Sequence, residues 1–271
     1  MLFRRLFMCA LFVGVLTGLF DSAVQRWQVV PLIFAAEVFE AANEPVAQPH
    51  VHGHADGAAH SHEAAAWEPQ RGFERTAFTV IANVLNAIGL ALLLLPLLIL
   101  LDRQRGGQWL TLQKGYGSAV RYGLLWGLAA WVCLFGLPAL GLPPELPGMQ
   151  AAPLLARQLW WALTVACSAG GLAALCLVRS KWRVLGVVLW LAPFVIGAPQ
   201  HSGSAFAGMG ADVAAQMQVL EARFVVATFV ASALQCLLLG VLCAVTAARW
   251  LSPLLTPSVL EAPGIANGAV L

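Results

Sequence analysis

The chain has 271 residues, 60% of them apolar and 10% charged, with a formal net charge of +2 and a mean hydropathy of +0.79. Soluble domains carry about 25% charged residues, so this composition excludes a soluble surface of that size. The small net charge, with no basic patch interleaved with aromatics, excludes a nucleic-acid binder.

The expectation is an all-α integral membrane protein, one polytopic domain over residues 1–271. A helix crossing a hydrocarbon core of about 30 Å needs roughly 20 apolar residues. Spans are expected at about Leu6–Val24, Ala77–Leu101, Val120–Leu142, Leu155–Val178, Val184–Ile196 and Phe224–Ala247, a bundle of about six transmembrane helices. The fifth is the shortest, and the count falls to five if it is re-entrant. The first follows Arg4 and Arg5 like a signal peptide, but no small-x-small cleavage site follows its apolar core. The chain instead continues Asp21-Ser-Ala-Val-Gln-Arg-Trp-Gln, and a retained anchor is expected.

Cytoplasmic loops hold an excess of Lys and Arg. With the N-terminus inside, ten fall inside (Arg4, Arg5, Arg103, Arg105, Lys114, Arg121, Arg179, Lys181, Arg183, Arg249) and five outside (Arg26, Arg71, Arg75, Arg157, Arg223). All six histidines and ten carboxylates, among them Glu74, Asp212 and Glu221, then face outward.

The long outer loop after the first span holds five of those histidines, His50, His52, His54, His60 and His62, within thirteen residues. Imidazole is the commonest ligand for first-row transition metals. Residues 43–70 around the tract are rich in Pro, Gly and Ala, cannot bury a core, and are expected to form a mobile loop. Such a strand suits an adaptable catcher of divalent ions rather than a rigid cage, or it is a low-complexity loop without a ligand. By the usual affinity order copper, nickel or zinc would rank above cobalt.

Ahead of the tract, a helix is expected after Pro31, with Glu37 and Glu40 on one face. That face either offers two carboxylates to a cation or is a solvated helix end. Further outer groups are Glu145, at the tip of the proline-stiffened Gly141–Met149 loop, and His201 after the fifth span. Glu145 is placed to pair with Arg157.

Within the spans, Asn83 and Asn86, and Gln235 with Thr228 and Ser232, are expected to face the bundle interior, lining a path or joining helices. No intramembrane carboxylate is read from the sequence, which counts against a tight midplane site. Gly14-x-x-x-Gly18 and Gly123-x-x-x-Gly127 let helices approach closely. The six cysteines all fall in spans, without CxxC spacing, and are expected to pack as small apolar residues. No phosphate-binding loop, catalytic triad or intramembrane His pair for haem is present, so the chain is not expected to be an enzyme.

Met1-Leu-Phe-Arg-Arg-Leu-Phe7, Gln28-Val-Val-Pro-Leu-Ile33, Ala36-Glu-Val-Phe-Glu40, Glu74-Arg-Thr76, Gly141-Leu-Pro-Pro-Glu-Leu-Pro-Gly148, Arg157-Gln-Leu-Trp-Trp161 and Ile196-Gly-Ala-Pro199 together resemble the CbtA family of probable cobalt transporter subunits. The family pattern reads Pro-His where this chain has Pro199-Gln200-His201. The resemblance implies cobalt uptake for cobalamin synthesis in a bacterium, with Co²⁺ as cargo. It also implies a small CbtB-type partner with one span and a His-rich end. Two functions are expected in competition: a permease subunit whose outer His and Glu groups capture the ion, and a non-transporting membrane metal sensor or scaffold.

Overall fold

The computed structural model describes residues 2–43, 69–70, 72–110, 115–178 and 181–255. His50, His52, His54, His60 and His62 lie outside the described residues, as does most of the 43–70 segment. Every regular element among the described residues is helical.

Helix α1 covers Leu2–Gln28, and after a break at Val29, α2 covers Val30–Asn43. Pro31 sits in the first turn of α2, where its missing N–H leaves no bond unmade. Helix α3 covers Phe73–Gln104, α4 Tyr116–Gly141, α5 Leu154–Leu177, α6 Val184–Ile196 and α7 Ala211–Leu251. Five of these, α1, α3, α4, α5 and α7, are long and apolar enough to cross a membrane. Helix α6 has the expected bounds, but its 13 residues reach only about 20 Å at 1.5 Å per residue. The span expected at Phe224–Ala247 is the inner part of the 41-residue α7. Many large apolar side chains on these helices point away from the protein, as lipid contact requires.

Glycine sets the closest helix contacts. A Cβ on Gly14 or Gly18 would run into the backbone of α3 at Ile88 or Val84. A Cβ on Gly123 would lie 2.6 Å from the Gly240 carbonyl oxygen, so α4 and α7 touch backbone to backbone. These contacts also give direction. Residues 14 and 18 of α1 meet 88 and 84 of α3, so the two are antiparallel. The short 105–115 connection, with Trp109 stacked on Tyr122 at 5.8 Å and Tyr122 Oη donating to Leu98 O at 3.2 Å, folds α4 back along α3. Gly123 and Gly127 meet Gly240 and Cys236, which sets α7 antiparallel to α4. It follows that α7 is antiparallel to α1.

Helix α6 runs antiparallel along α5. Arg183 Nε donates to Leu175 O at 2.9 Å, Trp190 Nε1 to Ser168 O at 2.9 Å, and Trp160 Nε1 to Pro193 O at 3.2 Å. Its C-terminal end, at Ala198, meets Trp160 and Gly141.

A π-turn at Val132–Gly136 precedes Pro138 in α4. Proline at this position frees the carbonyl four residues back, and Leu134 O accepts the Trp161 indole N–H at 3.2 Å instead.

Two buried cores result. One lies near the N-terminal end of the bundle, around Cys9, Val13, Leu95, Leu98, Leu239 and Cys243. The other lies at the opposite end, where Val29, Ala36, Leu146, Phe206, Met217 and Phe224 join α2, the 142–153 and 197–210 loops and the first turns of α7. Gln150 N donates to Ala205 O at 2.8 Å between those loops.

Candidate functional site

Two places gather polar groups: the far end of the bundle, and a buried strip where α1 meets α3 and α7.

At the far end, Glu37 on α2 pairs with Arg75 at 2.6 Å, and the Arg75 guanidinium lies 5.3 Å from the centre of the Phe34 ring. Glu145 pairs with Arg157 at 2.7 Å, as its position in the sequence suggests. Glu221 on α7 lies within electrostatic reach of Glu145. Glu40 lies against the Gly148 turn: a Cβ on that glycine would lie 3.4 Å from Glu40 Cβ. Gly148 itself has φ 81°, a left-handed conformation that a residue with a Cβ adopts only with strain. His201 is half-buried in the loop between α6 and α7. The structure thus brings Glu37, Glu40, Glu145 and His201 to one end, two of the carboxylates already holding arginines. Among the described residues no three His, Cys, Asp or Glu groups come together in a metal-holding cluster.

The buried strip was not expected. Asp21, which follows the Leu6–Phe20 apolar core near the end of the first expected span, lies inside α1 and is 2% exposed. A candidate span therefore holds a buried carboxylate, where the sequence reading counted none. The face it shares is Gly14, Thr17, Gly18 and Asp21, the face α1 buries. Gln25 Nε2 donates to Asp21 Oδ2 at 2.8 Å. Asn83 on α3 orients that amide from behind: its Nδ2 donates to Gln25 Oε1 at 3.3 Å and to Ser22 Oγ at 3.1 Å. Ser22 in turn donates to Gly18 O at 2.7 Å. Asn83 thus joins two helices, whereas Asn86 lies exposed on α3 and does not face the interior as expected.

The remaining polar atoms of the strip are unspent. Asp21 Oδ1, Thr17 Oγ1, Thr228 Oγ1 and Gln235 Nε2 are buried without a hydrogen-bond partner. Ser232, between the two α7 residues, is satisfied: it accepts from Trp131 Nε1 at 3.1 Å and donates to Phe229 O at 3.1 Å. The sequence did hold a signal for Asp21. It falls three residues beyond Gly18 and four before Gln25, on the helix face that the Gly14-Gly18 pair presents to its neighbour.

The arrangement defines a polytopic helical membrane protein with a buried carboxylate between three helices and an acidic end. Residues 3–248 match the family described as "Probable cobalt transporter subunit (CbtA)", and the chain belongs to that family. No curated protein and no solved structure matches it.

Proposed function

We propose that this chain is the membrane subunit of a cobalt uptake system in the bacterial cytoplasmic membrane. It works there with a small single-span, His-rich CbtB-type partner. The family match over residues 3–248 carries this reading. The N-terminus is cytoplasmic and the far end of the bundle, with the His50–His62 tract, is periplasmic, a reading supported by the excess of Lys and Arg on the other side.

The tract residues His50, His52, His54, His60 and His62 collect Co²⁺ from the periplasm. Glu37, Glu40 and Glu145, with His201, draw it to the mouth of the bundle. Because Glu37 and Glu145 hold Arg75 and Arg157, their part is to be released from arginine when a divalent ion arrives. Inward passage is favoured by about 2.3 kcal/mol per charge per 100 mV of membrane potential.

Six crossings are proposed, with α6 as the fifth. Helices α1, α3 and α4 alternate in direction, and α5 turns back along α4, with Arg157 held at Glu145 and Trp161 at Leu134 O, which ends α5 at the cytoplasmic side. Helix α7 runs antiparallel to α4 and so starts at the periplasmic side. The chain has to return between them, and α6 is the segment that does so. Its short length is met by the 3₁₀ turn Lys181–Arg183 before it and by local thinning of the bilayer.

Uptake of several radiolabelled divalent metals, in cells with and without this chain and its small partner, tests the reading. Cobalt accumulation is expected to require the chain. Equal accumulation in its absence would favour a membrane sensor or scaffold that only holds metal.

A further inference from the structure

We propose that Asp21 is a binding station for a divalent cation within the helix bundle, with Thr17 on α1 and Gln235 on α7 completing it. The identity of the cation as Co²⁺ rests on the transport reading above; the site itself does not.

The chain contains its own comparison. Asp102 is as deeply buried as Asp21, at 3% against 2% exposed. Asp102 spends both oxygens on backbone, accepting from Trp109 N at 2.9 Å and Leu110 N at 3.3 Å, and so closes the turn after α3. Asp21 has one donor, Gln25, and leaves Oδ1 with none. No cation pairs with it among the described residues. A bare carboxylate in that setting costs several kcal/mol, so Asp21 requires a proton or a cation.

Thr17 and Thr228 point the same way. A buried helical Ser or Thr normally returns its hydroxyl to the carbonyl one turn back. Ser22, Thr79, Thr164, Ser168 and Thr246 of this chain all do so. Thr17, 0% exposed, and Thr228 do not. Cys9 lies within electrostatic reach of Cys243, and Asp21 of Cys236. With α1 and α7 antiparallel, Thr17, one turn before Asp21, comes beside the turn from Gln235 to Leu239. The unspent atoms of Asp21, Thr17 and Gln235 thus fall at one level of the seam, with Thr228 further along it.

The donors are oxygens: a carboxylate, a hydroxyl and, on rotation of its amide, Gln235 Oε1, with the Cys236 thiol within electrostatic reach of Asp21. Such a mainly oxygen set, without imidazole, takes octahedral, partly hydrated ions rather than the nitrogen-bound zinc or copper. A weak oxygen site suits transit, since an ion has to leave as readily as it enters. On binding, the Asp21 carboxyl gives up its proton to water and the carboxylate takes the ion in its place.

Carbodiimide labelling tests this in membrane vesicles holding the full chain, because the reagent modifies buried protonated carboxyls. In metal-free vesicles the adduct should map to Asp21, and Co²⁺ alone should suppress it. Thr17→Val removes a hydroxyl that holds nothing in place, so a purely structural role leaves protection unchanged. As a ligand, its loss should raise the Co²⁺ needed for protection about 10- to 100-fold. No adduct at Asp21, an adduct that Co²⁺ does not suppress, or unaltered protection in Thr17→Val overturns the proposal. Cobalt uptake by the same vesicles separates the two readings. Uptake with an unprotected Asp21 sinks the site alone, and protection without uptake sinks transport alone.

Discussion

Gln25 Nε2 meets Asp21 Oδ2 at 2.8 Å, one turn along α1, and leaves the other oxygen of that carboxylate buried without a partner. The amide cannot turn to serve both oxygens, because Asn83 holds its carbonyl end. Position and vacancy therefore have one cause: the α3 contact that fixes Gln25 also limits Asp21 to a single donor.

Asp21→Asn and Asp102→Asn should differ in their effect on stability. Without metal, Asp21→Asn exchanges a protonated carboxyl with one unpartnered oxygen for a neutral amide of the same shape and should not lower the unfolding midpoint. Asp102→Asn puts an amide N–H₂ where one of two backbone N–H groups needs an acceptor. It should cost about 1–3 kcal/mol. Thermal unfolding of the two variants in detergent micelles compares them directly.

Helix contact through glycine gives a second contrast. Gly123→Ala places a methyl 2.6 Å from Gly240 O, and overpacking of this kind costs about 1–3 kcal/mol. Gly89→Ala meets nothing within 4 Å and should instead stabilise α3 by roughly 0.5–1 kcal/mol. The order of unfolding temperatures, Gly89→Ala above wild type above Gly123→Ala, is the expected result.

The course of α6 is open to sidedness labelling. In a background without the six native cysteines, single cysteines at Lys181 and Ser202 should react with an impermeant maleimide from opposite sides of the membrane. Reaction of both from one side would make α6 re-entrant and reduce the crossings to five.

Deleting residues 50–62 should lower cobalt uptake at low external metal and leave it near normal at high metal, because a catcher raises local concentration without forming the path. Loss of uptake at every concentration would make the tract part of the path. A sensor would instead lose its output throughout.

Much of the helical plan was legible because lipid imposes a composition that survives without context. The bounds of α6, the Glu145–Arg157 pair and the close approach at Gly14-Gly18 and Gly123-Gly127 all follow from local spacing. Asp21 was misjudged because a carboxylate at the end of an apolar run reads equally as the edge of a span or as its interior. Its neighbours decide which, and those lie on α3, some sixty residues away. Phe224 was taken as the start of the last span for a related reason. The turns from Ala211 to Arg223 carry Asp212, Glu221 and Arg223, and they are held as helix by the core under α2 rather than by lipid.

Composition and the rhythm of apolar runs alone determined that this chain lives in a membrane as helices, since a bilayer accepts no other backbone arrangement here. Ordered short motifs placed it among cobalt transporter subunits. Only tertiary structure decided that α7 descends antiparallel to α1, and so that Asp21 and Thr17 come to the turn of α7 that holds Gln235 and Cys236. Hydrogen-bond vacancies are properties of pairs of helices, and a single strand of letters does not record which side chain found a partner.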